Sequence, residues 1–186
     1  MESIQALIVE DDPADAELIA RQIRQSGYEL AWTRVQTKAD FLAQLQRVPD
    51  IVLSDYSMPQ FSGLEALELL RGSGFDIPLI LISGTVGEEI AVEAMRVGAT
   101  DYLLKDRIAR LGNAVERALA EKRLRAERSR AEEQIQSQLR ELQRWQAVTL
   151  DREDRVQALK REVNELLRGA GKPPRYAPPE TGESPP

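Results

Sequence analysis

Cysteine and histidine are both absent from this sequence of 186 residues, and each absence removes a class of chemistry. Without cysteine there is neither a disulfide framework nor a thiolate site, so the redox environment stays open. Without histidine the chain cannot carry a histidine-ligated metal, a Ser-His-Asp triad or a phosphohistidine. Any phosphoryl group that this protein handles must therefore come from another molecule.

Long hydrophobic stretches are also missing. The longest apolar run, Ile77–Ile82, is too short to span a bilayer, and the first residues lack the pattern of a signal peptide. We therefore expect a cytoplasmic protein that does not contact a membrane. The formal charge of −6 divides into −8 for residues 1–110 and +2 for residues 111–186, and this nearly balanced second part argues against a nucleic-acid-binding arm.

Short apolar segments alternate five times with amphipathic ones at βαβ spacing, which predicts an α/β fold with a parallel sheet and helices on both faces. In the second helix, capped by Thr37, we expect Phe41, Leu42 and Leu45 to face inward. The predicted strands are Ile4–Val9, Tyr28–Val35, Ile51–Asp55, Ile77–Ile82 and Asp101–Leu104.

Polar residues follow several of these strands. Because the carboxyl ends of parallel strands meet at one edge of a sheet, Glu10, Asp11 and Asp55 are expected to converge there. Clustered carboxylates repel one another unless a cation neutralises them, and a hard divalent cation, Mg²⁺ or Mn²⁺, suits oxygen ligands. Ser83 and Lys105 would offer a hydroxyl and a positive charge to phosphoryl oxygens. Taken singly, Asp55 and Ser83 could be turn or cap residues and Lys105 a solvated lysine.

Residues 1 to about 121 resemble the receiver domain of two-component response regulators. The resemblance rests on five motifs in order along the chain: Glu10-Asp11-Asp12, Asp55-Tyr-Ser-Met-Pro59 with Gly63, Ile82-Ser-Gly-Thr85, Gly98-Ala99, and Tyr102 with Lys105. It implies a flavodoxin-like, doubly wound sheet of five strands in the order 2-1-3-4-5.

The resemblance also implies the role of each site residue. Asp55 would be the phosphoacceptor, Asp11 a direct metal ligand, Glu10 a supporting acid acting through water, and the main-chain carbonyl of Ser57 a further ligand. For Asp12, both a part in the metal site and a simple helix cap stay open. Lys105 would contact the phosphoryl group, and Ser83 and Tyr102 would form the switch that reports its presence. The partner would be a histidine kinase or a phosphotransfer protein.

No further strand is predicted after Arg107, and a long helix is expected from Leu111 to Leu167. A heptad pattern predicts a coiled-coil seam with polar breaks at Gln138, Thr149 and Arg152. The seam consists of Ile135, Leu142, Trp145, Val156, Leu159, Val163 and Leu166. It resembles the connector helices of some bacterial sensor kinases, although a generic solvated dimer helix would show the same pattern.

These observations divide the chain into a receiver domain, residues 1–121, a coiled-coil helix, 122–168, and a proline-rich disordered tail, 169–186. The leading hypothesis is a homodimeric response regulator without a DNA-binding or enzymatic output domain, in which the state of Asp55 alters how two receivers share the coiled coil. It would catalyse only its own phosphorylation and dephosphorylation. The alternatives are a scaffold that ignores phosphorylation and, less well supported, a phosphohydrolase.

Overall fold

The computed structural model describes residues 2–84 and 88–176, except for the side chains of residues 88 and 147–149. The chain forms two compact units, Met1–Glu127 and Arg128–Pro186. The elements are β1 Glu2–Val9, α1 Pro13–Gln25, β2 Tyr28–Val35, α2 Lys38–Leu45, β3 Ile51–Asp55, α3 Gly63–Gly72, β4 Leu79–Ser83, α4 Glu88–Val97, β5 Asp101–Leu104, a 3-10 helix Lys105–Arg110 and α5 Leu111–Gly169.

The strands form one parallel sheet in the order β2-β1-β3-β4-β5, which confirms the predicted doubly wound topology. Every residue of β3 and β4 is buried, because both strands lie inside the sheet and both of their faces are covered by helices. The register places Val9 beside Ser54 and Asp55 beside Ile82. The carboxyl ends of β1, β3 and β4 therefore meet at one edge.

Helices cover both faces of the sheet, and each face has its own hydrophobic core. On one face, α1 and the first turns of α5 bury Ile19 and Val115 against the strands. On the other face, α2, α3 and α4 close over the strands, and the rings of Phe41 and Phe61 lie 5.4 Å apart. The two-sided burial is the packing that alternating strands and helices require.

The predicted inward position of Leu42 is wrong. Its side chain is 39% exposed, whereas Phe41 and Leu45 are fully buried. The helix α2 has only eight residues, and Leu42 lies about 100° around the helix from Phe41, on the side away from the sheet.

The predicted start of β4 at Ile77 is also wrong, since the strand begins at Leu79. Pro78 has no N–H group to donate to a neighbouring strand, so regular pairing cannot include it fully. Its carbonyl still accepts a hydrogen bond from the Val52 N–H at 2.9 Å. Ile77 remains buried beside the strand although it is not part of it.

The helix α5 contains 59 residues, which confirms the predicted long helix. Beyond Arg128, most of the seam is exposed: Ile135, Leu142, Trp145, Val156, Leu159 and Leu166 are each between 43% and 69% exposed. Val163 is half-buried, and the side chain of Thr149 lies outside the described residues. Pairing of this helix with another stays a prediction. Neither α5 nor any other helix in the described ranges has the length and apolarity needed to cross a membrane.

The chain reverses direction at the end of α5. Gly171 takes a positive φ of 68°, and the N–H of Lys172 donates to the carbonyl of Leu167 at 2.9 Å. This hydrogen bond caps the helix and returns the following residues toward its side. Arg175 and Tyr176, in the segment predicted to be a disordered tail, contact Asn164. Residues 177–186 of the predicted tail lie outside the described residues.

Candidate functional site

Asp55 is the last residue of β3 and is only 6% exposed. One carboxylate oxygen, Oδ1, accepts a hydrogen bond from the N–H of Ser57 at 3.1 Å. Gly63 lies so close that an added Cβ would stand 2.5 Å from the main-chain oxygen of Asp55. The sequence therefore places a glycine where the backbone next to the carboxylate leaves no room for a side chain.

Lys105 is the centre of the polar contacts at this edge. It follows β5 directly, and its Nζ donates to Asp55 Oδ2 at 2.8 Å, to Glu10 Oε2 at 3.1 Å and to Asp15 Oδ2 at 2.5 Å. Burial opposes the charged form, but the hydrogen bonds to Asp15, Asp55 and Glu10 outweigh it and raise the pKa of Lys105 above its ordinary value. The lysine is therefore a fixed positive charge beside Asp55.

Glu10 is a buried acid, with 1% of its surface exposed. Burial raises the pKa of Glu10 to about 7, and the negative charge of Asp55 adds to the increase. The N–H of Asp12, which donates to Glu10 Oε1 at 3.1 Å, and the ammonium of Lys105 act in the opposite direction. A carboxyl group in this environment gains from a nearby cation, which would favour its ionised form.

Glu10, Asp11 and Asp55 form a carboxylate cluster in which one oxygen from each residue lies within 4.8 Å of the others. Asp11 is exposed, while the other two are buried. A hard divalent cation fits this donor set, since it prefers several carboxylate oxygens and completes its shell with water. The predicted convergence of these three acids is confirmed by the geometry, and the cluster could hold a metal ion.

Asp12 caps α1: its side chain accepts a hydrogen bond from the N–H of Ala14 at 2.8 Å. It is not a member of the carboxylate cluster, so the geometry favours the cap over a metal ligand. The N–H of Ser57 contacts Asp55, which places this residue beside the cluster. Its carbonyl as a metal ligand stays a prediction.

Ser83 and Tyr102 lie on neighbouring strands. Ser83 is the last residue of β4, 1% exposed, and directly follows Ile82, the register partner of Asp55. Tyr102 is half-buried and packs against the core formed with α2, α3 and α4. These positions bring the hydroxyl of Ser83 to the same sheet edge as Asp55. Thr85, the last residue of the matching motif, lies outside the described residues.

Two residues at this edge were not predicted from the sequence. Asp15 lies in the first turn of α1, where an acid is expected merely to favour the helix dipole, yet it contacts Lys105. Arg34 lies on β2, and its Nη1 donates to the carbonyls of Glu10 and Asp11, both at 3.0 Å. An acid three residues after a cap and an arginine near the end of an edge strand were the available signals, and both are common in other roles.

A separate cleft of about 610 Å³ opens at the opposite edge of the sheet. It is lined by the end of α3, the residues before β4 and the side chains of Glu121 and Arg125 from α5. Arg125 is paired there with Asp76 at 2.9 Å. The cleft shares no residue with the carboxylate cluster and does not contribute to the chemistry of Asp55.

Comparison with known proteins gives one consistent result. The family model described as response regulator receiver domain matches residues 6–116. Response regulator MprA of Mycobacterium tuberculosis is 32% identical over 164 residues, covering 87% of this chain and 64% of the relative. The C4-dicarboxylate transport transcriptional regulatory protein DctD of Pseudomonas aeruginosa is 36% identical over 121 residues, covering 64% of this chain and 26% of the relative.

Solved structures agree with these relatives. A two-component response regulator of the LuxR family from Aurantimonas sp. superposes with a TM-score of 0.58 at 26% identity, covering 64% of this chain and 87% of that structure. The chain spans only 26% to 64% of the length of the curated relatives named above. The residues that the family model matches lie within the unit that contains the sheet and the carboxylate cluster.

Proposed function

The chain belongs to the family of response regulator receiver domains, and from this membership we propose that it receives a phosphoryl group on Asp55. The observation that carries the proposal is the hydrogen bond of 2.8 Å between Lys105 and a buried Asp55 inside the carboxylate cluster. A scaffold that ignores phosphorylation has no physical need to bury two acids, Glu10 and Asp55, around one lysine.

The donor is proposed to be the phosphohistidine of a histidine kinase or a phosphotransfer protein, since this chain has no histidine. A carboxylate oxygen of Asp55 would attack phosphorus as the P–N bond breaks, and the histidine nitrogen would keep the electron pair and take up a proton. The product is an acyl phosphate on Asp55. Lys105 would follow the new phosphoryl oxygens with its positive charge.

Asp11 and Asp55 would hold Mg²⁺, with the main-chain carbonyl of Ser57 as a further ligand and Glu10 as a supporting acid that acts through water. The bound cation would neutralise negative charge on both the acids and the incoming phosphoryl oxygens. The buried Glu10, with its raised pKa, would be drawn into its ionised form by that cation. Asp12 would serve only as the cap of α1.

Ser83 and Tyr102 are proposed to report the phosphoryl group. The hydroxyl of Ser83 would donate to a phosphoryl oxygen from the end of β4, beside the register partner of Asp55. A shift of Ser83 would free space for the ring of Tyr102, which lies two positions before Leu104, the register partner of Ser83 on β5. The catalysis involved would be limited to the chain's own phosphorylation and dephosphorylation.

The proposed output is a homodimer formed through the seam of α5. The support is the exposure of its large apolar side chains, 57% for Leu142 and 54% for Leu159, which a partner helix would bury. The state of Asp55 would change how two receiver units share the paired helices. We do not propose a DNA-binding or enzymatic output for this chain.

The decisive experiment incubates the full chain with acetyl phosphate and Mg²⁺ and follows the intact mass. We expect the wild type to gain one phosphoryl group and Asp55→Asn to gain none, because the amide lacks the nucleophilic oxygen anion. Asp76→Asn is the matched control, since this exposed acid outside the cluster is paired only with Arg125 among the described contacts. Equal labelling of Asp55→Asn and wild type would refute the assignment.

A further inference from the structure

Asn164 is a buried amide on a helix that is otherwise exposed around it. It is 9% exposed, while its neighbours Glu165 and Leu166 are open to solvent. Burying an amide is costly unless its hydrogen bonds are satisfied. The cause of the burial is a five-residue segment, Lys172–Tyr176, which lies against this side of α5 and which we call the strap.

The amide of Asn164 holds the backbone of the strap at three points. Its Oδ1 accepts from the N–H of Arg175 at 2.9 Å and from the N–H of Tyr176 at 3.1 Å, and its Nδ2 donates to the carbonyl of Tyr176 at 2.9 Å. The ring of Tyr176 lies 5.9 Å from the Nζ of Lys160, one turn earlier on the helix. These contacts fix the position of the strap without using the side chain of Arg175.

The strap lies beside the predicted seam. Lys160, Val163 and Leu167 are half-buried on the face that carries Asn164, whereas the seam residues Leu159 and Leu166 are 54% and 69% exposed. With Val163 at position a of the heptad, Lys160 and Leu167 occupy position e. Residues at e flank the partner helix in a coiled coil, and residues at a insert into it. A second helix and the strap therefore require the same surface.

We propose that the strap competes with a second copy of this chain for the last heptad of α5. The proposal rests on the helix pairing inferred above. In the monomer the strap contacts Asn164 and the e-position Lys160, and Val163 beside them is half-buried. Full pairing through Val163 displaces it, and the three hydrogen bonds to Asn164 are exchanged for contacts between two helices. The strap thus weakens dimerisation and limits the paired region to the part of the seam before Lys160.

The test compares two substitutions at one position of the strap in the full chain. Arg175→Pro removes the N–H that donates to Asn164, whereas Arg175→Ala keeps it and removes only the side chain. Dimer dissociation constants are measured by sedimentation equilibrium, and exchange of the Tyr176 amide by hydrogen–deuterium exchange. The dimer dissociation constant of Arg175→Pro should be about three- to tenfold lower than that of Arg175→Ala, because the strap is held by only a few hydrogen bonds and the proline removes one of them. Tyr176 exchange should accelerate only in the proline variant.

Asn164→Ala provides a second variant that releases the strap from the helix side. It should also tighten the dimer, although alanine strengthens the helix as well, so the comparison at position 175 carries the conclusion. Equal dissociation constants for Arg175→Pro and Arg175→Ala, or a weaker dimer in the proline variant, would overturn the competition alone. A monomer in every variant at all concentrations would remove the helix pairing itself and this proposal with it.

Discussion

Arg34 fixes the backbone that presents two of the three acids in the carboxylate cluster. Its Nη1 donates to the carbonyls of Glu10 and Asp11 and, at 3.2 Å, to Oε1 of Gln36. We predict that Arg34→Met weakens Mg²⁺ binding about tenfold, the lower end of what groups that orient metal ligands contribute. Isothermal titration calorimetry with MgCl₂ alone measures the effect, independently of phosphorylation.

The direction of the change in Mg²⁺ affinity distinguishes a role of Arg34 in positioning the metal ligands from an effect of its positive charge. Removing a positive side chain near a cation site would by itself favour Mg²⁺, so weaker binding by Arg34→Met must come from the lost hydrogen bonds. Arg24→Met is the matched control, because Arg24 makes an exposed ion pair with Glu17 on α1. Unchanged or tighter Mg²⁺ binding in Arg34→Met would contradict the positioning role.

The site residues that could be predicted from the sequence are those that lie at, or directly after, the carboxyl end of a predicted strand. Glu10 and Asp11 follow β1, Asp55 ends β3 and Lys105 follows β5, so sheet topology alone brings them together. Asp15 contacts Lys105 across 90 positions, and its distance depends on how α1 packs on the sheet. Sequence periodicity gives the face of a helix but not such a side-chain distance.

The start of α5 contacts the rest of the receiver unit through polar side chains as well as through its buried apolar face. Lys122 donates to the carbonyl of Asp50 at 3.1 Å, Arg123 pairs with Glu2, and Arg125 pairs with Asp76 at 2.9 Å. These contacts follow Leu119, the last buried hydrophobic residue among the described side chains of α5. We infer that the receiver unit includes α5 as far as Glu127 rather than ending at the predicted residue 121.

Truncation tests this boundary. A chain that ends at Glu121 should melt about 2–5 °C below one that ends at Glu127, because it loses three polar contacts that are individually weak. Circular dichroism on heating provides the melting temperatures. A chain that ends at Glu133 controls for helix length, and it should gain little over Glu127. If the melting temperature rose equally from the chain ending at 121 to that ending at 127 and from 127 to 133, helix length would explain the difference. Contact of α5 with the sheet would then not be needed to explain it.

The bounds of helices and strands were easier to predict than the exposure and contacts of their side chains. The bounds of β2 and β5 follow from apolar spacing and nearby glycines, and the structure has them as predicted. The exposure of Leu42 could not be predicted, because a helix of eight residues can satisfy the same pattern with two inward residues. The strap could not be predicted either. A proline-rich sequence indicates disorder, whereas the buried amide of Asn164 holds the backbone of this one.

At the scale of the whole molecule, the proposed function joins a phosphorylation site in one unit to a pairing surface in the other. Two exposed leucines on α5 allow the pairing to be tested without truncation. Leu142 lies at position a of the seam and is 57% exposed, and Leu150 lies at position b, off the seam, and is 61% exposed. Both are equally accessible in a single chain, so only a partner helix aligned on the seam distinguishes them.

We predict that Leu142→Lys weakens the dimer tenfold or more, whereas Leu150→Lys leaves its dissociation constant within about twofold. Pairing would bury Leu142 of both copies, each contributing about 1.5–3 kcal/mol, and a lysine there would lose this burial and place like charges together. Sedimentation equilibrium of the full chain measures both constants, and circular dichroism checks that α5 stays helical. If the two substitutions had the same effect, the seam would be misplaced. Phosphoryl labelling of Asp55 should persist in both variants, because the carboxylate cluster and Lys105 lie within Met1–Glu127.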